Sequence, residues 1–275
     1  MTGMTRKRRP PKTPVSTPVS TLAPPTAPGD PWPQLRKFTA ARIGLHRSGA
    51  SLATGSLLEL RLAHARARDA VHEPFDAARL AAELATLGLP VLTLASAADD
   101  RQHYLMRPDL GRRLADNAAA VLAPHAGKYD VALVVTDGLS ARAVVTHARP
   151  VLADVLPRLT AENWRIAPLT VVRHGRVAIG DVIAAALGAE IVAVLIGERP
   201  GLSSPDSMGA YLTWQPSPRT TDADRNCISN IRPEGLAYSD AAFKLLHLLR
   251  SMRTRRLSGI GLKDDGDRLL IGEDT

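Results

Sequence analysis

Two short blocks concentrate the residues able to bind or react. The apolar run Ile191–Ile196 feeds directly into Gly197-Glu198-Arg199-Pro200-Gly201, and further on comes Arg225-Asn226-Cys227-Ile228-Ser229-Asn230. The first reads as a buried strand that stops at a glycine- and proline-punctuated loop carrying a carboxylate and a guanidinium, the place where open α/β sheets put their ligands. Glu198 there can accept hydrogen bonds from amide or hydroxyl donors, or simply pair with Arg199 or brace its own loop. The second block holds Cys227, the only cysteine in the chain. A lone cysteine can form no intramolecular disulfide and no cysteine-cluster metal site, so it acts by contact or as a small apolar filler.

The elements that must position these residues follow from texture. Three β-branched runs, Val131–Val135, Leu169–Val172 and Ile191–Ile196, each lead into a polar, glycine-bearing loop. These loops are Thr136-Asp137-Gly138-Leu139-Ser140, His174-Gly175-Arg176-Val177 and Gly197-Glu198-Arg199-Pro200-Gly201. Successive runs start more than 20 residues apart, which leaves room for crossover helices over 141–147 with 152–159, and over 181–187. A mainly parallel, Rossmann-like α/β domain over residues 127–275 follows, with all three loops on one edge. Upstream, residues 34–126 read as a mainly helical N-terminal region. Its helices are expected over 56–72, over 76–87 with a stop at Gly88, and from about Arg107-Pro108-Asp109 to Leu122 with Asp109 as cap. The last helix is expected over 238–256, and after Gly259 the chain is expected to thin into a charged end.

Residues 1–33 combine five basic residues with a high density of proline, serine and threonine, a composition that cannot bury apolar surface. They form the expected disordered tail. Five of the positive charges lie within the first twelve residues, and without those residues the chain carries only +3. A nucleic-acid role through the tail is therefore the weakest reading, since no aromatic is interleaved with its charges for base stacking. Apolar residues make up 45% of the chain and aromatics 4%, so the core must be aliphatic, as in helices packed on a buried parallel sheet. No apolar run approaches the ~18 residues of a membrane span, and no apolar stretch follows the basic N-terminus as in a secretory leader. A cytoplasmic chain is expected.

Familiar catalytic signatures are missing. There is no GxxxxGK[ST] phosphate loop, no GxGxxG after a strand, no GxSxG elbow, and no Cys/His cluster at zinc spacing. The eight histidines are scattered.

In order along the chain stand TAARIGLHRSG, LAHARARDAV, YLMRPDLGRRL, VVTDGLSARAV, VVRHGRVAIGD, LIGERPGL and RNCISNIRPEG. Together, over about Leu35 to Ser258, they resemble the small (light) subunit of ethanolamine ammonia-lyase. The resemblance implies an adenosylcobalamin-dependent lyase of large and small subunits that converts ethanolamine to acetaldehyde and ammonia. It implies that the large subunit carries substrate and most of the radical chemistry, while the small one covers and orients the corrinoid at the interface. Alone, this chain should be catalytically silent. Cofactor contacts carried over from the family fall on Val177, Glu198 and Cys227. None of the eight histidines has an aspartate two residues before it, as the DxHxxG motif of histidine-ligated cobalamin proteins requires, so a bound corrinoid is expected to keep its own benzimidazole. The resemblance leaves open the free cytosol or a bacterial microcompartment lumen, and the tail lacks the apolar periodicity of a packaging helix. The alternative is an α/β assembly module that never touches cofactor.

Overall fold

The computed structural model describes residues 32–45 and 47–264. The described residues divide into two compact units that part after Leu45. The expected tail lies outside the described residues apart from Trp32 and Pro33, which open a four-residue helix, α1 (Trp32–Leu35). In the larger unit a minimal hairpin, β1 (Arg47–Ser48) and β2 (Ser51–Leu52), precedes the helices α2 (Thr54–His72) and α3 (Ala77–Ala85). Strand β3 (Val91–Ala95) and helices α4 (Arg101–Met106) and α5 (Ala118–Leu122) follow. The α/β half then runs β4 (Tyr129–Thr136), α6 (Ala141–Ala161), β5 (Leu169–Arg173), α7 (Ile179–Leu187) and β6 (Ala189–Gly197). It closes with β7 (Met208–Trp214), β8 (Arg225–Ile231) and α8 (Tyr238–Arg255).

The main sheet has the order β3-β5-β4-β6-β7-β8. Its first four strands are parallel, as the β-branched runs predict, and β7 and β8 return antiparallel. The central strands are buried on both faces, which is why they read as continuous apolar runs rather than alternating ones. One face packs against α3, α6 and α8 around Leu133, Leu152, Leu195 and Leu249. The other packs against α5 and α7 around Val134, Ile183, Val192 and Leu187.

Four local expectations are corrected. The N-terminal region is not only helical, because Val91–Ala95 forms the sheet's edge strand on β5. The helix expected to start at Arg107-Pro108-Asp109 is broken. Asp109 caps nothing and is gripped by the Arg107 guanidinium through two contacts of 2.9 Å. Asp100 instead caps α4, accepting the His103 N–H at 2.8 Å. The two segments expected between β4 and β5 form one 21-residue helix that runs through Pro150 and Pro157. Each proline removes a hydrogen bond, but burial of Val144, Ala148, Val151, Leu152, Val155 and Leu159 against the sheet outweighs that loss. Finally, the chain near Gly259 does not simply thin out, since Leu262 is buried in the core.

A fully buried ion pair stitches the outer strand to α7. Arg225 donates to both Asp181 carboxylate oxygens at 2.8 and 2.6 Å, and also to Thr213 at 3.0 Å. Replacing Asp181 with Ala leaves the buried Arg225 guanidinium with only the exposed Asp222 carboxylate, 3.6 Å from its Nε, as counter-charge. The expected cost is ~3–5 kcal/mol of stability, read as a lowered urea midpoint at unchanged slope.

Candidate functional site

The three polar loops expected on one edge do converge there. The connection from β4 turns to α6 on one sheet face, while that from β5 turns to α7 on the other, so the crevice between these neighbouring strands is a topological switch point. Thr136 and Asp137, at the end of β4, are fully buried. The Asp137 carboxylate accepts the His174 N–H at 2.7 Å and Arg101 Nη1 at 2.9 Å, with His174 Nδ1 at 3.3 Å. Thr136 Oγ1 accepts the Gly175 N–H at 3.0 Å. Gly138 has φ +52°, and a Cβ there would strike the Gly197 carbonyl and Ile196, so only glycine fits between the first and third loops. His174 is held at φ +60° and stacks on Tyr104, with ring centroids 5.7 Å apart.

The third loop is braced by Glu198. Its main chain bonds Ser207 (Glu198 N to Ser207 O, 2.9 Å), and its Oε2 accepts the Ser207 hydroxyl and the Asn230 N–H, the latter at 3.2 Å. Of the two local roles open to Glu198, loop bracing is observed, and no ion pair with Arg199 occurs among the described residues. Oε1 has no hydrogen-bond partner among those residues. Ser140 caps α6 and donates its hydroxyl to the Pro205 carbonyl at 3.0 Å, joining the first loop to the third.

Val177 and Glu198 both line a hollow of about 370 Å³, together with Arg176, Arg199 and Tyr211. A second hollow of about 660 Å³ continues from Arg176 and Val177 toward Thr221 and Arg225. Cys227 lines neither. It lies one strand further out as the register partner of Tyr211, exposed, with Sγ 3.3 Å from Ser229 Oγ. Tyr211 packs on the α7 side of the sheet, and Cys227 shares that face. The opposite side chains of β7 and β8, among them Met208, Leu212 and Ile228, are buried in the core that includes α6 and α8. The structure thus brings Val177 and Glu198 together and sets Cys227 beside them, exposed on the part of that sheet face beyond Thr213 and Arg225 that no helix among the described residues covers. Tyr211 was not singled out by sequence, although the alternation in MGAYLTW marks it as facing away from the core side chains Ala210 and Leu212.

Among the described residues no three His, Cys, Asp or Glu side chains are grouped to hold a metal ion, and no helix is long and apolar enough to cross a membrane. An open α/β sheet with a polar crevice at its carboxyl edge and a partly uncovered face beside it defines a ligand- or partner-binding α/β subunit. Over residues 29–263 the chain matches the family model described as "Ethanolamine ammonia-lyase light chain (EutC)". It is 56% identical to the ethanolamine ammonia-lyase small subunit of Xanthomonas campestris pv. campestris strain B100, over 92% of this chain and 94% of that one. The small subunit of Azotobacter vinelandii is 56% identical over 86% and 90% of the two chains, and that of Pseudomonas fluorescens Pf-5 is 52% identical over 91% and 93%. The chain belongs to the ethanolamine ammonia-lyase small-subunit family, whose name denotes a lyase.

Burial raises the phenols of Tyr104 and Tyr211 above their ordinary value, with the neighbouring Cys227 and Glu198 adding to the effect at Tyr211. The folded chain therefore keeps phenolic protons that the unfolded chain releases. Stability from these two groups is complete below the ordinary phenol pKa of ~10 and declines as pH rises above it. In an alkaline titration their phenolate absorbance should appear only with unfolding, and Tyr104→Phe and Tyr211→Phe should leave the pre-unfolding amplitude unchanged.

Proposed function

We propose that this chain acts as the small subunit of an adenosylcobalamin-dependent ethanolamine ammonia-lyase, binding the cofactor through Val177, Glu198 and Cys227 and active only with its large subunit. The observation that carries the reading is the meeting of Val177 and Glu198 on one hollow, with Cys227 beside it on the uncovered part of the sheet face. The contacts then all come from the 127–275 part of the chain.

The residues present fit such a group. A corrinoid is rimmed by amides and bears a ribose, so it asks for both acceptors and donors. Glu198 Oε1 supplies an acceptor held in place by the bonds of Oε2. The N–H groups of Val177 and Ala178, which line the larger hollow, have no acceptor among the described residues and supply donors. Cys227 and Ser229 offer a small polar surface that a large planar ligand can approach closely. When bound, adenosylcobalamin supplies the radical chemistry through homolysis of its cobalt–carbon bond. This chain's part is to orient the group and, with the large subunit, to exclude water from it. His174 is turned inward onto Asp137 and Tyr104 rather than toward the hollow's rim, in keeping with a corrinoid that retains its own base. The reading places the complex in the cytosol, either free or inside a bacterial microcompartment.

Ethanolamine-dependent acetaldehyde formation with adenosylcobalamin is expected only when this chain and its large subunit are co-expressed, and from neither alone. In that complex Glu198→Ala should raise the apparent KM for adenosylcobalamin by about tenfold or more. Cofactor should also slow alkylation of Cys227, followed as the mass of its own peptide. A complex that assembles but stays inactive with cofactor, or a thiol equally reactive with and without it, would favour the assembly-module reading instead.

A further inference from the structure

The loop after β5 reaches Val177 through three residues whose backbone N–H groups are all engaged. The His174 N–H goes to Asp137 Oδ1 at 2.7 Å and the Gly175 N–H to Thr136 Oγ1 at 3.0 Å. The Gly175 carbonyl accepts the Tyr104 hydroxyl at 3.1 Å, and the Arg176 N–H goes to the Gly111 carbonyl at 2.7 Å. Past Val177 the first turn of α7 closes on itself, with Ile179, Gly180 and Asp181 donating to the carbonyls of Arg176, Val177 and Ala178. Only the N–H groups of Val177 and Ala178 are left over among the described residues, and both residues line the larger hollow. Both residues are half-buried at that hollow, where a spare main-chain donor is free to meet an acceptor from outside the chain.

Two consecutive side chains where β4 ends, Thr136 and Asp137, anchor the start of the loop that carries these donors. The β4–β5 ladder ends at Thr136 opposite Val172, so beyond it the loop has no strand partner. There Thr136 and Asp137 accept the next two free N–H groups with their side chains, and the Thr136 hydroxyl in turn donates to Asp137 Oδ1 at 3.4 Å. The pair continues the sheet with side-chain acceptors. It also holds His174 in a left-handed conformation that a non-glycine residue adopts only when its surroundings impose it.

We propose that Thr136 and Asp137 are positioning residues for the cofactor, aiming the Val177 and Ala178 N–H groups at a ligand acceptor without touching the ligand themselves. The proposal rests on the cofactor site proposed above. Because the donors are main-chain, it assigns the contact at Val177 to the backbone rather than to the isopropyl group.

The test uses the complex co-expressed with the large subunit. Thr136→Val is close to isosteric and removes both of the hydroxyl's bonds, Thr136→Ser keeps them, and Asp137→Asn withdraws one carboxylate acceptor. Thr136→Val and Asp137→Asn should raise the apparent KM for adenosylcobalamin about tenfold with kcat within about twofold, and Thr136→Ser should return it to the parent value. Hydrogen exchange at 174–178 should quicken in the first two variants only. If Asp137→Asn fails to assemble, Thr136→Val decides alone, since its apolar contacts are preserved. An unchanged KM in an assembled Thr136→Val complex, a fall confined to kcat, or a Thr136→Ser variant no better than Thr136→Val overturns the proposal. Glu198→Ala run in parallel separates the two levels. If it raises KM while Thr136→Val and Asp137→Asn do not, only the positioning role fails; if it too leaves KM unchanged, the cofactor site itself fails.

Discussion

A carboxylate buried at the carboxyl edge of a parallel sheet must be compensated on every side, and Asp137 imposes that requirement on everything around it. Its charge is met by Arg101, whose guanidinium also donates to the Gly138 carbonyl at 2.8 Å and, through Nε, to the Val71 carbonyl at 2.7 Å. One side chain thus ties the end of α2, the start of α4 and the loop after β4 into a single cluster. Burial pulls the Arg101 guanidinium below its ordinary pKa and Asp137 opposes that shift, so the carboxylate helps keep Arg101 charged. Removing either would leave a buried ion unpaired, a far larger disturbance than loss of an exposed pair. The loops at this edge are therefore not free connections. They are fixed by one polar network whose members come from four separate elements and which leaves Arg101 Nη2 buried without a hydrogen-bond partner among the described residues.

The second constraint is topological. After β6 the chain makes no crossover helix but returns as β7 and β8, antiparallel. A parallel continuation would have required a helix packed across one of the sheet's faces. The antiparallel return needs none, and α8 covers only the side already lined by α6. The opposite side of β7 and β8 meets α7 only at Thr213 and Arg225, and beyond them Tyr211, Cys227 and Ser229 stand next to the polar crevice. The exposure of Cys227 in an otherwise well-buried sheet is thus a consequence of strand direction, which neighbouring residue types do not encode.

What could be read from sequence divides along the same lines. β4, β5 and β6 were legible because strands buried on both faces carry unbroken β-branched runs, and the loops after them were legible from their glycines. Val177 and Glu198 fell on those loops for that reason. β7 and β8 have a second face that is only partly buried and mix Gly, Tyr and Trp, or Arg, Asn and Ser, with their apolar residues, so RNCISN registered as a motif and not as a strand. β3 is a five-residue edge strand between helices, too short to announce itself. α6 was read as two pieces because local rules treat Pro150 as a breaker, and only the tertiary burial of the flanking turns shows why it is tolerated. The roles of Thr136 and Asp137 depend on a partner loop 37 to 39 residues away, a separation that no local pattern spans.

His174 shows how the two constraints combine. It follows directly on the last residue of β5, at the point where the backbone must leave the sheet and turn toward α7. The left-handed turn it adopts carries its N–H and its ring into the Asp137 network, and the ring stacks on Tyr104. A histidine so engaged is occupied as a structural residue. Its side chain is only 11% exposed, and reaching outward would break contacts that also satisfy a buried carboxylate. The edge therefore offers a ligand main-chain donors at Val177 and Ala178 and an acceptor at Glu198, while its one histidine is kept inside. That division suits a subunit that grips the periphery of a large cofactor and leaves the ligation of its metal to the cofactor itself.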